Sequence, residues 1–392
     1  MTKKSTSPSS GREAARTRRN ITTVLILGLL ILFGFYRLTG KDPLGPFTED
    51  KETPPSVIGS GGDWWQVYFT DPHTVNDPNR LAGSIPEKLI EHIAAAQRTI
   101  HIATFEFDLL PVAEALIAAQ ARGVEVHWVT DDEYGIQADE DEGEQLFPKL
   151  KGAGVQVKDD GPGALMHNKF WIFDDQTVWT GSTNVTANDN FRNNNNVIVI
   201  ESQEVAAVYE REFAELWFGE FGPTSPSTVR EQTLTVDGTP VEVLFAPEDQ
   251  VISRLIPLVN GAERSIRFMA FAFTDEPLGA AVRARAKAGV DVKGIFETRS
   301  SETEFSQLSP FYCADMAVRQ DGNPGMLHHK VFIVDDNIVV TGSFNFSENA
   351  DESNDENMLI ITHPGIAAQY LAEFERRWAE ATAPDASSMK CP

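Results

Sequence analysis

Residues 166–184 read MHNKFWIFDDQTVWTGSTN, and residues 327–345 read LHHKVFIVDDNIVVTGSFN. Both follow the pattern H-x-K-x4-D-x6-G-S-x-N. The first copy holds His167, Lys169, Asp174, Gly181, Ser182 and Asn184; the second holds His328, Lys330, Asp335, Gly342, Ser343 and Asn345. A repeat kept for packing alone would preserve apolar residues, whereas this one preserves His, Lys, Asp and Asn. Side chains alternate along a strand, so His and Lys two positions apart project to the same side. His167 with Lys169, and His328 with Lys330, are therefore expected in one pocket, with Phe170, Ile172, Val331 and Ile333 turned to the core. Asp174 and Asp335 have the opposite parity, sit at turns, and read as supporting residues. Gly-Ser-x-Asn follows the next strand, and its Ser and Asn side chains and N–H groups suit an anionic oxygen.

The repeat extends outward. Residues 98–129 match residues 264–295 at an offset of 166, while the His-Lys motifs match at an offset of 161, so the second copy is five residues shorter in between. Each copy reads as a short strand, an amphipathic helix (86–96; 252–262), a strand, a helix ending at Gly123 or Gly289, and another strand. Two short strands then flank the Asp-Asp turn, and an apolar strand and a long helix (205–218; 366–379) close the unit. Glycine at a helix end suits a left-handed cap, and alternating strands and helices predict an α/β architecture. Two such lobes pack most simply about a pseudo-two-fold axis, which brings both motifs to one site.

Two imidazoles in one pocket suggest a division of labour at a phosphodiester. One attacks phosphorus and the other protonates the leaving alcohol and then deprotonates water. Two lysines and two asparagines would stabilise the growing charge. Nothing in the motifs asks for a metal or cofactor.

The paired motifs resemble the two HKD motifs of the phospholipase D superfamily, over roughly residues 64–382. The resemblance implies two similar α/β/α-sandwich lobes related by a pseudo-two-fold, one shared active site, a covalent phosphohistidine, and metal-independent hydrolysis or transfer of phosphodiesters. It also implies that the first-copy histidine attacks, leaving His328 as acid and base. The copies differ at one place. Glu356 lies 28 residues past His328, where the first copy has Asn195 past His167. Counting along the chain gives the carboxylate to His328, which would make His328 the more basic ring.

The formal net charge is −25. Residues 1–20 carry six basic residues against Glu13 and read as a basic cytoplasmic tail, so the acidity belongs to the rest of the chain. An acidic surface repels polyanions at long range. Residues 21–38 contain the uncharged run ITTVLILGLLILFGFY (21–36), which predicts a transmembrane signal-anchor with an extracytoplasmic catalytic domain. A cleaved signal peptide would need a small-residue site, which Leu38-Thr39-Gly40-Lys41 lacks. Residues 39–62 read as a Pro/Gly-rich linker, 63–222 and 238–382 as the two lobes, and 383–392 as a tail. Cys313 and Cys391 either pair outside the cytoplasm or stand as idle thiols. Residues 131–144 hold eight acidic residues and read as a solvated loop near the mouth of the site, or as a means of repelling polyanions or loosely holding a cation. Trp64, Trp65, Trp128, Trp171 and Trp179 read as core, with a lipid-facing role as the alternative.

The expected function is hydrolysis of phospholipids to phosphatidic acid and a head-group alcohol. A metal-independent endonuclease is the second reading, and a cardiolipin-synthase-like phosphatidyltransferase the third. Two complete motifs argue against a non-enzymatic binding module.

Overall fold

The computed structural model describes residues 58–391, apart from residues 162, 164 and 227–231. The basic stretch 1–20 and the apolar segment 21–38 lie outside the described residues. Among the described residues, no helix is long and apolar enough to cross a membrane.

Two eight-stranded mixed sheets form the frame. The first contains β1 (Ile58–Gly61), β2 (Trp65–Phe69), β3 (Thr99–Thr104), β4 (Glu125–Thr130), β5 (Gln156–Asp159), β6 (Lys169–Phe173), β7 (Thr177–Gly181) and β8 (Asn196–Glu201). Its order is β1-β2-β8-β7-β6-β3-β4-β5. The second contains β9 (Thr233–Val236), β10 (Thr239–Ala246), β11 (Ser265–Ala270), β12 (Asp291–Phe296), β13 (Ala317–Gln320), β14 (Lys330–Val334), β15 (Ile338–Gly342) and β16 (Glu356–Thr362). Its order, read from the other edge, is β9-β10-β16-β15-β14-β11-β12-β13, so the sheets are topological copies. Residues 58–61, read from sequence as the end of the linker, instead add the edge strand β1.

The helices Ile85–Ala95 and Leu110–Ala121 cover one face of the first sheet. Leu89, Ile93, Val112 and Leu116 bury themselves there against Ile100, Ile102, Trp128 and Trp171. The second sheet has its own outer core around Phe268, Phe273 and Phe332. Between the sheets lies one continuous core, shared by both, into which the long helices Gln203–Trp217 and Pro364–Glu380 send Tyr209, Phe213, Tyr370 and Phe374. The lobes therefore share a middle layer. For this reason both faces of β6 are apolar: Phe170 and Ile172 enter the shared core while Trp171 and Phe173 enter the outer one. Phe170, Ile172, Val331 and Ile333 face a core as expected, and the opposite parity reaches a second core on the outer side. All five singled-out tryptophans are buried.

The hairpin turns follow from their aspartates. Asp174 and Asp175 have φ of 54° and 55°, and Asp335 and Asp336 have φ of 53° and 56°. Positive φ at both central residues is the geometry of a type I′ hairpin, which Asp tolerates better than most residues. The Asp174 carboxylate accepts from the backbone N–H groups of Gln97, Arg98 and Thr99 at 2.9, 2.7 and 3.0 Å. Asp335 does the same for Glu263, Arg264 and Ser265. The two aspartates thus tie the hairpin to the start of the neighbouring strand. Cys313 and Cys391 form a disulfide with Cα atoms 5.4 Å apart, which fastens the C-terminal segment to the second lobe.

Candidate active site

The histidine of each motif lies just ahead of β6 or β14, and each is met by a segment of the opposite sheet. Asp355 N donates to Leu165 O at 2.9 Å, and Asp355 is bridged to Met166. In the mirror arrangement, Asn194 N donates to Met326 O at 2.7 Å, His328 N donates to Asn194 O at 2.9 Å, and Asn194 is bridged to Leu327. One residue further along each strand, Glu356 reaches His167 and Asn195 reaches His328.

This exchange overturns the pairing read from sequence. His167 Nδ1 lies 2.8 Å from both Glu356 oxygens. His328 Nδ1 lies 3.0 Å from Asn195 Oδ1. Glu356 belongs to the histidine of the other copy, because Asp355, just before its strand, bridges to Met166 of the other lobe. The motif serines are also placed differently from the expectation that they receive an anion. Ser343 Oγ donates to Glu356 Oε2 at 2.6 Å, and Ser182 Oγ donates to Asn195 Oδ1 at 2.8 Å. Each serine thus holds the group that holds the opposite histidine. Gly181 and Gly342 precede them where a side chain has no room: an added Cβ would sit 2.3 Å from Asn196 O and 2.2 Å from Asn357 O, respectively.

Both rings flank one cavity of about 440 Å³, lined by Phe105, Glu106, Tyr134, Asn184, Asp189 and Phe271 among others. Phe105 stands edge-on to His167 and Phe271 to His328, each at 4.8 Å between centroids. Lys169 Nζ sits 5.1 Å above the Phe105 ring and Lys330 Nζ 4.7 Å above Phe271. Each lysine also donates to the carbonyl of its own motif histidine at 2.9 Å. The cavity lining includes both histidines but neither lysine, so each Lys is held beside its histidine and behind the phenylalanine ring. Asn184 Nδ2 donates to Glu106 Oε2 at 3.1 Å. The buried Oδ1 atoms of Asn184 and Asn345 have no partner among the described residues. Asn184 lines the cavity; Asn345 is not among its lining residues.

Electrostatics distinguish the two rings. Burial holds both imidazoles well below their ordinary range, and the lysine charges push the same way. Burial raises the Glu356 carboxyl to about 7 against the pull of Lys169. The His167–Glu356 pair therefore exchanges a single proton near neutrality, and that proton belongs to the pair. His328 has no carboxylate in direct hydrogen-bond contact, but Asp189 Oδ2 lies 3.5 Å from its Nδ1. Burial opposes ionisation of Asp189, yet the His328 ring, Asn193 and the N–H of Asn184 outweigh it and keep this carboxylate below its usual range. Asp189 was not singled out from sequence. Its signal was available, since the matching residue of the second copy is Ala350.

A second missed set lies deeper. Thr180 Oγ1 donates to Asn357 Oδ1 and Thr341 Oγ1 to Asn196 Oδ1, each at 2.7 Å. These reciprocal bonds join the sheets beneath the histidines. Buried polar groups must be paired, so they also fix the register of one lobe on the other.

The family model described as "Cardiolipin synthase, PLD-like domain" matches residues 89–217 and 255–378, more than half of the chain. This chain belongs to the PLD-like domain family. Among its relatives, the mitochondrial cardiolipin hydrolase of Xenopus laevis is 37% identical over 132 residues, which is 34% of this chain and 63% of that protein. A phospholipase D of Rickettsia bellii is 30% identical over 157 residues, 40% of this chain and 78% of that protein. Phosphatidylserine synthase from Haemophilus influenzae matches in fold with a TM-score of 0.58 at 13% identity, covering 82% of this chain and 89% of that one. The doubled mixed sheet is thus the PLD-like fold, with two family units in one chain.

Proposed function

We propose that this PLD-like protein is a phospholipase D-type phosphodiesterase that hydrolyses phospholipids to phosphatidic acid and a head-group alcohol. The observation that carries the reading is the pair of imidazoles from two lobes. Each is fixed through Nδ1 by the opposite lobe, which leaves Nε2 for the shared cavity.

His167 is the nucleophile in this reading. Its Nδ1–H donates to ionised Glu356, so Nε2 carries the lone pair. Nε2 bonds to phosphorus as the bond to the head-group oxygen breaks, and protonated His328 gives its proton to that oxygen. Substrate phosphate and Asp189 both favour the protonated ring. Water then attacks phosphorus, its proton passes to His328, and the phosphorus–nitrogen bond breaks to release phosphatidic acid. Asn184 binds an equatorial oxygen, and the Lys169 and Lys330 charges stabilise the group from behind the phenylalanine rings. Glu356, Asn195, Ser182 and Ser343 orient the rings, while Asp174 and Asp335 serve the fold.

Three exposed apolar side chains favour a lipid surface over nucleic acid. Leu110, Tyr134 and Phe305 are 42%, 43% and 70% exposed. Leu110 lies two residues after the cavity-lining Asp108, and Tyr134 packs at a tilt against Phe105. Phe305 lies between Ser300, which donates to Phe271 O, and Gln307, which donates to Phe273 O. Residues 131–144 bring Tyr134 and Ala138 to the cavity, and their exposed Glu133, Glu140, Asp141 and Glu144 oppose a polyanion. Residues 21–38 are proposed as the anchor, with residues 1–20 cytoplasmic and the two lobes on the other side of the membrane.

The full-length protein in detergent, assayed with EDTA, should release choline or ethanolamine from phospholipid vesicles. Cleavage of plasmid DNA without lipid turnover would refute the substrate, and loss of all turnover in EDTA would refute the metal-free chemistry. His167→Ala and His328→Ala should each abolish turnover; near-normal rates in either would sink the shared site.

A further inference from the structure

The residue before each active-site histidine donates its backbone N–H to a carboxyl group that the reaction above leaves unused. Met166 N lies 3.1 Å from Asp160 Oδ2 and 3.3 Å from Asp131 Oδ2. Leu327 N lies 2.8 Å from Glu297 Oε2, and Glu297 is itself hydrogen-bonded to Asp321. The pairs occupy matching places. Asp131 and Glu297 directly follow β4 and β12; Asp160 and Asp321 directly follow β5 and β13. Their numbers differ by 166 and 161, the offsets of the repeat itself. The second member of each pair is also tied to the strand end that carries the first. Asp160 Oδ1 accepts from Asp132 N at 2.8 Å, and Asp321 Oδ1 accepts from Thr298 N at 2.9 Å.

We infer that Asp131–Asp160 and Glu297–Asp321 are positioning pairs: each holds the N–H ahead of His167 or His328, which sets both rings over the cavity. The inference rests on the proposed reading of the histidines for its effect on turnover, but not for the response of the two N–H groups to pH.

The Asp131 and Asp160 carboxyl oxygens lie within 4.8 Å of each other, and like charges this close resist double ionisation. Burial, and then the charge of Asp131, raises Asp160 to about 7. Burial, and then Asp321, raises Glu297 to about 7. The other titratable groups facing Asp160 are Asp132 and, from the opposite sheet, Asp355. These groups are acidic and push the same way, whereas Lys169 faces Asp131 and favours its ionised form. Asp131, Asp132 and Asp160 are close enough to ligate a cation. However, Asp131 Oδ1 already accepts from Glu133 N and Tyr134 N, and both Asp160 oxygens accept from N–H groups. The set has a counterpart in the other lobe built to the same plan, which points to a positioning role rather than one metal centre.

The test needs no substrate for its first arm. In full-length protein labelled at Met and Leu amides, the Met166 and Leu327 N–H signals should titrate near neutral pH. Asp160→Asn should remove the Met166 titration and Glu297→Gln the Leu327 titration. Flat signals in the wild type, or saturable Ca²⁺ binding that shifts Met166, would overturn the inference. In the second arm, Asp160→Ala and Glu297→Ala should each lower kcat for bis(4-nitrophenyl) phosphate by about tenfold with KM nearly unchanged. The Asn and Gln variants, which keep an oxygen acceptor and supply their own N–H, should stay within about threefold. Full kcat in the Ala variants would also overturn it. A wild type that hydrolyses no phosphodiester would fail the proposed function while leaving the amide titrations to decide the pairs.

Discussion

Replacing Glu356 by glutamine removes the charge facing His167 while leaving an oxygen that can still accept from Nδ1–H, much as Asn195 serves His328. Two effects follow, and both have a sign. The carboxyl is raised from 4.5 to about 7 by burial, so between those values the folded protein holds a proton that the unfolded chain has lost. Folding stability therefore falls as pH rises through this window. For a shift of this size the wild type should lose about 2.5 kcal/mol between pH 5 and 8 from this group, at about 1.36 kcal/mol per unit. Glu356→Gln should lack that component, so the two stability curves converge toward acid and separate toward base. Catalysis runs the other way. Below about 7 the pair holds an extra proton, either on the carboxyl or on the ring. In both cases His167 Nε2 is capped by hydrogen and cannot attack. kcat/KM should thus rise with pH through about 7 in the wild type. The glutamine variant should lose that limb and lose roughly tenfold in kcat, the difference between a hydrogen bond to a charged and to a neutral acceptor. Urea unfolding followed by tryptophan fluorescence, beside pH–rate profiles on a soluble diester, gives both readouts. Parallel stability curves, or an unchanged acid limb in the variant, would refute the assignment of Glu356 to His167.

Other outcomes can be checked more simply. Asp174→Ala should destabilise the first lobe by about 1–2 kcal/mol above pH 4, since one carboxylate serves three N–H groups, and the effect should fade as pH falls through its depressed range; urea midpoints on either side of pH 4 test this. Cys391→Ser should cost roughly 2–4 kcal/mol, because the bridge closes a separation of 78 residues; an unchanged thermal midpoint would contradict it. Phe305→Ser should lower turnover on phosphatidylcholine vesicles about tenfold while sparing a soluble diester, because a 70% exposed ring contributes only if lipid buries it. Asp189→Asn should slow leaving-group departure most for poor leaving groups, which a comparison of alkyl and aryl diesters would reveal.

Much of the site was legible before any tertiary structure was known. The repeat, the His-x-Lys parity and the Asp-Asp turns are local properties, because strand alternation and turn chemistry act over two to eight residues. Asp174 and Asp335 sit at the turns for the reason their parity gives. Two motifs in one chain also demanded two similar lobes, and the paired sheets supply them. Asp131 was noticed only as one acid of the stretch 131–144, and Asp160, Glu297 and Asp321 escaped notice, although each pair keeps an offset of the repeat. A carboxylate outside a motif looks like any surface acid until the backbone N–H it holds is located.

Which carboxylate serves which histidine was beyond the sequence. Glu356 stands 28 residues after His328 and 189 after His167, and chain distance favours the wrong partner. The choice is made where Asp355 bridges to Met166 and Asn194 to Leu327, contacts between segments that no local period relates. The pseudo-symmetry makes each lobe complete the other, so the sequence determined what the two halves contain, and only their packing decided that each histidine is held from across the interface.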